Sequence, residues 1–125
     1  MSARPVLEPS TEHPITIEPT SGRVTVEIDG HRVADTASAL TLQEATYPPV
    51  QYIPISDVDR SLLQPSDTHT YCPFKGEASY YSVAIEGQEP LTDVIWTYEQ
   101  PHAAVAEIAG HVAFYPDRTQ IAVSG

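Results

Sequence analysis

Twelve prolines, spread along 125 residues rather than gathered in one segment, are the strongest constraint on this chain. Each fixes φ and removes a backbone donor, which excludes long helices and leaves short strands joined by turns. Seven tyrosines, with many valines, isoleucines and threonines, point the same way, because aromatic and β-branched side chains suit a pleated, half-buried surface. The length fits one domain around a single hydrophobic core. The expected class is therefore all-β: compact antiparallel sheets forming a small barrel or sandwich, with two short helices.

Charge narrows the partners. Seventeen acidic side chains stand against six basic ones, a formal net charge of −11. Such a surface repels phosphate backbones and anionic membranes, so neither nucleic acid nor a membrane is expected as a partner. One cysteine makes no internal disulfide and requires no oxidising compartment. The N-terminal residues have no apolar core of the signal-peptide kind, and no run approaches a membrane span. The expected location is the cytoplasm.

Along the chain, residues 1–20 read as a loose, proline-dotted N-terminal arm, in which Ile15-Thr16-Ile17 alternates like a short edge strand. Residues 21–125 read as the β domain. Asp29-Gly30 lies between two alternating segments and supplies the two positive-φ positions that a type I′ hairpin turn demands. Val24, Val26 and Ile28 fall on one face of its first strand. Leu40, Leu42 and Glu44 share a face of another strand, so Glu44 is either a paired carboxylate or the point where that strand reaches solvent. Pro54 restricts the Tyr47–Ile55 segment to a sheet edge or a bulge. Ser56 reads as the N-cap of a short helix, with Asp57 and Asp59 as its first-turn charges and Gln64-Pro65 as its end. Val94, Trp96 and Tyr98 share a strand face. Residues 101–109 read as a second short helix, stopped by Gly110.

The only lysine, Lys75, follows the only cysteine, Cys72, by three residues at the turn of a hairpin running from Thr68 to Ile85. Tyr81, Val83 and Ile85 make the more apolar face of its second strand. Ala78, Tyr80, Ser82 and Ala84 make the other, as a strand lining a shallow cavity would. A thiolate at Cys72 would be a nucleophile if Lys75 supplied the neighbouring charge. His69 points to the opposite face of that strand, so His31, His102 or His111 would have to complete a Cys–His pair. Lys75-Gly76 suits an anionic group held by backbone amides, although no phosphate-loop motif is present. His69 and Cys72 alone do not complete a tetrahedral metal site, and no cofactor is expected. Tyr47, Tyr52, Tyr80, Trp96, Tyr98 and Tyr115 form either an aromatic core or an apolar pocket with hydroxyl handles for a small planar or amphipathic ligand.

Four segments together resemble one family: Tyr47-Pro-Pro-Val-x-Tyr52; Cys72-Pro-Phe-Lys-Gly76 with Ala78-x-Tyr80-Tyr81; Trp96-x-Tyr98; and Ile108-Ala-Gly-x-Val-Ala-Phe-Tyr-Pro116. The chain is similar to the domain of unknown function 427 family from about Arg23 to Arg118. That resemblance implies a compact, single-domain, β-tent-like fold. The zinc of related β-tent proteins is held by paired cysteines, which this chain lacks. The family also carries a nucleotidyltransferase-like label, but the Gly-Ser motif and paired aspartates of such transferases are absent here. The matched positions suited to a site are Glu44, Tyr47, Tyr52, Cys72, Lys75, Tyr80, Trp96 and Tyr98. Three readings follow: a β-domain binding a small ligand or a protein near the Cys72–Gly76 turn; an enzyme using Cys72, or Lys75 with Glu44; and a structural or oligomer-forming domain.

Overall fold

Asp29 and Gly30 both take positive φ, 50° and 82°, closing the hairpin their sequence predicts. A computed structural model of the chain describes residues 4–124, and every structural statement below concerns those residues. Ten strands follow in order: β1 (Ile15–Pro19), β2 (Arg23–Ile28), β3 (His31–Thr36), β4 (Leu40–Glu44), β5 (Val50–Pro54), β6 (Leu63–Cys72), β7 (Gly76–Val83), β8 (Leu91–Thr97), β9 (His111–Phe114) and β10 (Gln120–Ser124). Seven form an antiparallel sheet in the order β1-β4-β5-β9-β8-β7-β6, and β10-β2-β3 form a second sheet. The large sheet keeps two free edges, β1 and β6, so the two-sheet half of the sequence expectation holds and the barrel half does not.

Two cores lie on opposite sides of the large sheet. Val24, Val26 and Ile28 of β2 are buried to 2% exposure or less and meet Ile53, Val83, Ile95, Val112 and Phe114. Burying each such side chain contributes about 1.5–3 kcal/mol before entropy is subtracted. Leu42, Tyr52, Ala78, Tyr98, Val105, Ile108 and Ala113 make the second core. Neighbours such as Tyr52 and Ile53, or Val112, Ala113 and Phe114, alternate between the two because strand side chains alternate faces. Val94 departs from its predicted face and joins Ile95 in the first core. Asp93, just before it, takes φ of 53°, and the β7–β8 register shifts between Tyr81 and Val83.

Both predicted helices are shorter and tighter than their sequence suggested. Ile55–Asp57 and Arg60–Leu62 are single 3-10 turns. Val58, between them, bridges to Ala34 of β3, so the chain is pulled into sheet contact before an α-turn can repeat. Ser56 is not a cap; Asp59 caps the second turn by accepting from the Ser61 amide at 3.2 Å. Ala103–Ile108 is also 3-10, broken at Val105 (φ −126°). Pro65 sits inside β6 rather than ending a helix, tolerated at a sheet edge beside a register shift. Pro54 closes β5, an interior strand, at its last residue rather than marking an edge. No helix is long and apolar enough to cross a membrane.

Candidate functional site

The large sheet is weakly joined at one seam. β5 pairs with β9 only at Ile53↔Val112 and Pro54↔His111. Near that short ladder, Val50 and Tyr52 of β5 line one hollow together with Trp96 of β8 and Tyr115. The hollow is a cavity of about 210 Å³, also lined by Leu42, Glu44, Tyr47, Pro48, Lys75, Tyr80 and Tyr98. It has the volume for one small ring system.

Lys75 reaches this cavity through the tight turn between β6 and β7. Its amide donates to the Cys72 carbonyl at 3.1 Å, and its own carbonyl accepts from the His102 amide at 2.9 Å. Gly76 then takes φ of +115°, where a Cβ would stand 3.4 Å from the Gln100 carbonyl oxygen and from the His102 ring. Gly76→Ala is therefore expected to cost about 1–3 kcal/mol through backbone strain and crowding. Chemical denaturation measures that loss, and an unchanged midpoint would refute the strained turn.

At one end of the cavity, Glu44 is bound twice. Lys75 Nζ donates to Oε1, and His13 Nε2 lies 2.8 Å from Oε2. Both Glu44 and Lys75 side chains are only 12% exposed. Burial pushes the Glu44 carboxyl up. The hydrogen bonds from Lys75 and His13, with their charges, outweigh that and hold it below the ordinary carboxylate value. Glu44 is thus the paired carboxylate of the two alternatives open at β4.

His13 comes from the segment preceding β1. That segment lies along the β6–β7 turn: Arg4 pairs with Glu77 at 2.8 Å and sits over the Tyr71 ring, and the Leu7 amide donates to the Pro73 carbonyl at 3.0 Å. The Tyr71 hydroxyl donates to the Pro5 carbonyl at 2.6 Å. His13 stacks on Phe74 with centroids 4.0 Å apart and meets Tyr47 edge-on at 6.1 Å. His13→Ala should lower stability by about 1 kcal/mol, the sum of a lost stack and a lost hydrogen bond. The urea midpoint reads this directly, and a shift no larger than that of His31→Ala would argue against it.

The aromatic walls are held by their polar handles. Trp96 Nε1 donates to the Tyr52 hydroxyl at 3.2 Å, and the Trp96 and Tyr115 rings lie 4.6 Å apart, tilted by 53°. The Tyr80 and Thr70 hydroxyls are 2.9 Å apart. Burial pushes the Tyr52 phenol up to about 12, and burial beside Tyr80 raises Tyr115 to about 12. Tyr98, 7% exposed, is raised further, again chiefly by burial. All three phenols stay protonated near neutral pH.

Seven of the eight residues singled out from the sequence meet at this cavity: Glu44, Tyr47, Tyr52, Lys75, Tyr80, Trp96 and Tyr98. Tyr115, the last of the six aromatic residues, joins them. Cys72 does not line it. The thiol is half-buried and packs against the second core, without a hydrogen bond to any histidine among the described residues. His102, the nearest of the three proposed partners to the turn, lies 3.5 Å from the Tyr71 hydroxyl instead. Sequence reasoning missed His13, because no local pattern ties a histidine before β1 to a carboxylate 31 positions later.

The chain is thus a small β-domain of two antiparallel sheets, with an aromatic cleft and a largely buried lysine–glutamate pair. The family model for the domain of unknown function DUF427 matches residues 16–125, and the chain belongs to that family. The match begins earlier than the sequence resemblance, taking in nearly all of β1, and leaves His13 outside it. No curated protein matches the chain.

Proposed function

We propose that this domain binds a small, planar, amphipathic organic ligand in the aromatic cleft, with the Glu44–Lys75 pair orienting its polar end. One observation carries the reading: aromatic side chains from both halves of the large sheet line a single hollow together with that pair. Aromatic walls supply apolar contact area at little conformational cost, while a few fixed polar groups supply orientation.

The chain's only tryptophan lines the cleft and also borders the neighbouring hollow beside Phe114 and Ile121, so its fluorescence reports on this face of the fold. A fragment set screened by thermal shift and by Trp96 emission should contain single-ring or fused-ring compounds that both raise Tm and change the emission. Trp96→Phe should remove the optical signal and leave the thermal shift of some ligands. If compounds raise Tm without touching Trp96 emission, binding lies elsewhere and this reading fails.

A second reading, general acid–base chemistry by Lys75 and Glu44, is favoured by the pair's low exposure, since desolvation strengthens charge interactions. Cys72→Ala separates both from a cysteine nucleophile. Ligand titrations on that variant should agree with the parent protein within about twofold, because the sulfur lies outside the cleft lining. A loss beyond tenfold would restore the thiol as a candidate.

A further inference from the structure

Several hydrogen-bond donors of the cleft lining have no acceptor among the described residues. Glu44 is the cleft's carboxylate, and each of its oxygens already holds a partner, Lys75 on one and His13 on the other. The Lys75 ammonium carries three N–H groups, and Glu44 is its one side-chain or backbone acceptor among the described residues. Tyr52 accepts from Trp96, which leaves its own O–H to donate, and no described residue accepts it. Tyr98 makes no side-chain hydrogen bond to a described residue, although only 7% of it is exposed. Three side chains lining one cavity therefore keep N–H or O–H groups free for an occupant. An occupant that displaces water from these groups must bring an acceptor or leave them unpaired, which is costly.

The charge around these donors decides what kind of acceptor fits. Glu44 offsets the charge of Lys75 at contact distance, and the whole chain carries −11. An anionic ligand gains little net attraction from a neutralised lysine and is repelled by the surrounding field. A cationic ligand would bring its charge and further donors up to the Lys75 ammonium. A neutral carbonyl oxygen has two lone pairs, sits at the end of a planar group, and costs far less to desolvate than a carboxylate.

On the reading that the cleft binds a small ligand, we infer that its natural ligand class is a neutral planar compound bearing a carbonyl group. An aromatic amide, lactam or ketone would lie between Tyr52 and Trp96, with its carbonyl oxygen directed to Lys75, Tyr52 and Tyr98.

Four one-ring probes of similar size test this on the full chain: benzamide, benzoate, benzylamine and toluene, titrated by ligand-observed NMR with Trp96 emission in parallel. Benzamide should bind more tightly than each of the other three, by on the order of tenfold. Tyr98→Phe and Lys75→Met should each weaken benzamide by on the order of tenfold and leave toluene within twofold. Tyr98→Phe removes one oxygen from a packed ring, so the test survives if Lys75→Met fails to fold. Benzoate or benzylamine binding as tightly as benzamide would overturn the carbonyl assignment and leave the cleft a binding site. So would a Tyr98→Phe variant with unchanged benzamide affinity. Silence from all four probes would overturn the binding reading itself.

Discussion

Tyr52→Ala is expected to lose about 3–5 kcal/mol of stability, the range for removing a large buried aromatic side chain. Tyr52 is 1% exposed, belongs to the second core with Leu42, Tyr98, Ile108 and Ala113, and forms the wall of the cleft nearest the seam. Few partners stand ready to refill the space, because the β5–β9 ladder beside it is only two residue pairs long. Tyr52→Phe keeps the ring and removes the oxygen that accepts from Trp96 Nε1, so its cost should stay near 1 kcal/mol. Urea denaturation of both variants measures the difference. Equal costs would mean that the hydroxyl, rather than the packed ring, holds this wall in place.

Lys75→Met should cost about 2–3 kcal/mol at neutral pH, because it leaves the Glu44 carboxylate, 12% exposed, with His13 as its remaining partner. Glu44→Gln should cost a similar amount by leaving the lysine unpaired. The double variant should cost less than the sum, since neither charge is then stranded, and the deficit gives the coupling of the pair. Acid should erase part of this. The folded carboxyl of Glu44 is lowered from its ordinary value of 4.5, so its contribution is complete above that value and is lost as pH falls through the folded one. The stability gap between the parent protein and Glu44→Gln should narrow as pH falls below about 4.5. A gap that widens on acidification would mean that burial, which opposes ionisation, outweighs the two cationic partners.

Glu44 illustrates how far local pattern reaches. Its place on the Leu40–Leu42 face follows from strand alternation, a property of the backbone. Whether that face still lay under cover at position 44 depended on Lys75 and His13, each 31 positions away. The Asp29-Gly30 hairpin, the buried face of β2 and the two faces of β7 were readable because turn chemistry and period-two alternation are set by neighbours. The helices were misread for the opposite reason. Ser56, Asp57 and Asp59 carry the composition of a helix start, but Val58 is drawn into a bridge with Ala34 that no nearby residue announces.

Cys72 and Lys75 make the same point within one turn. Their spacing brought both forward as chemistry, and the fold then separated them: the lysine enters the cleft, while the sulfur packs against the second core. Class, the Asp29-Gly30 hairpin and most strand faces were thus written locally, in prolines, glycines and alternation, with Val94 the exception. The cleft was decided by tertiary structure alone. It gathers side chains from strands distant in the chain, Glu44 and Tyr52 with Lys75, Tyr80 and Trp96, and how such strands pack together is encoded in no local stretch.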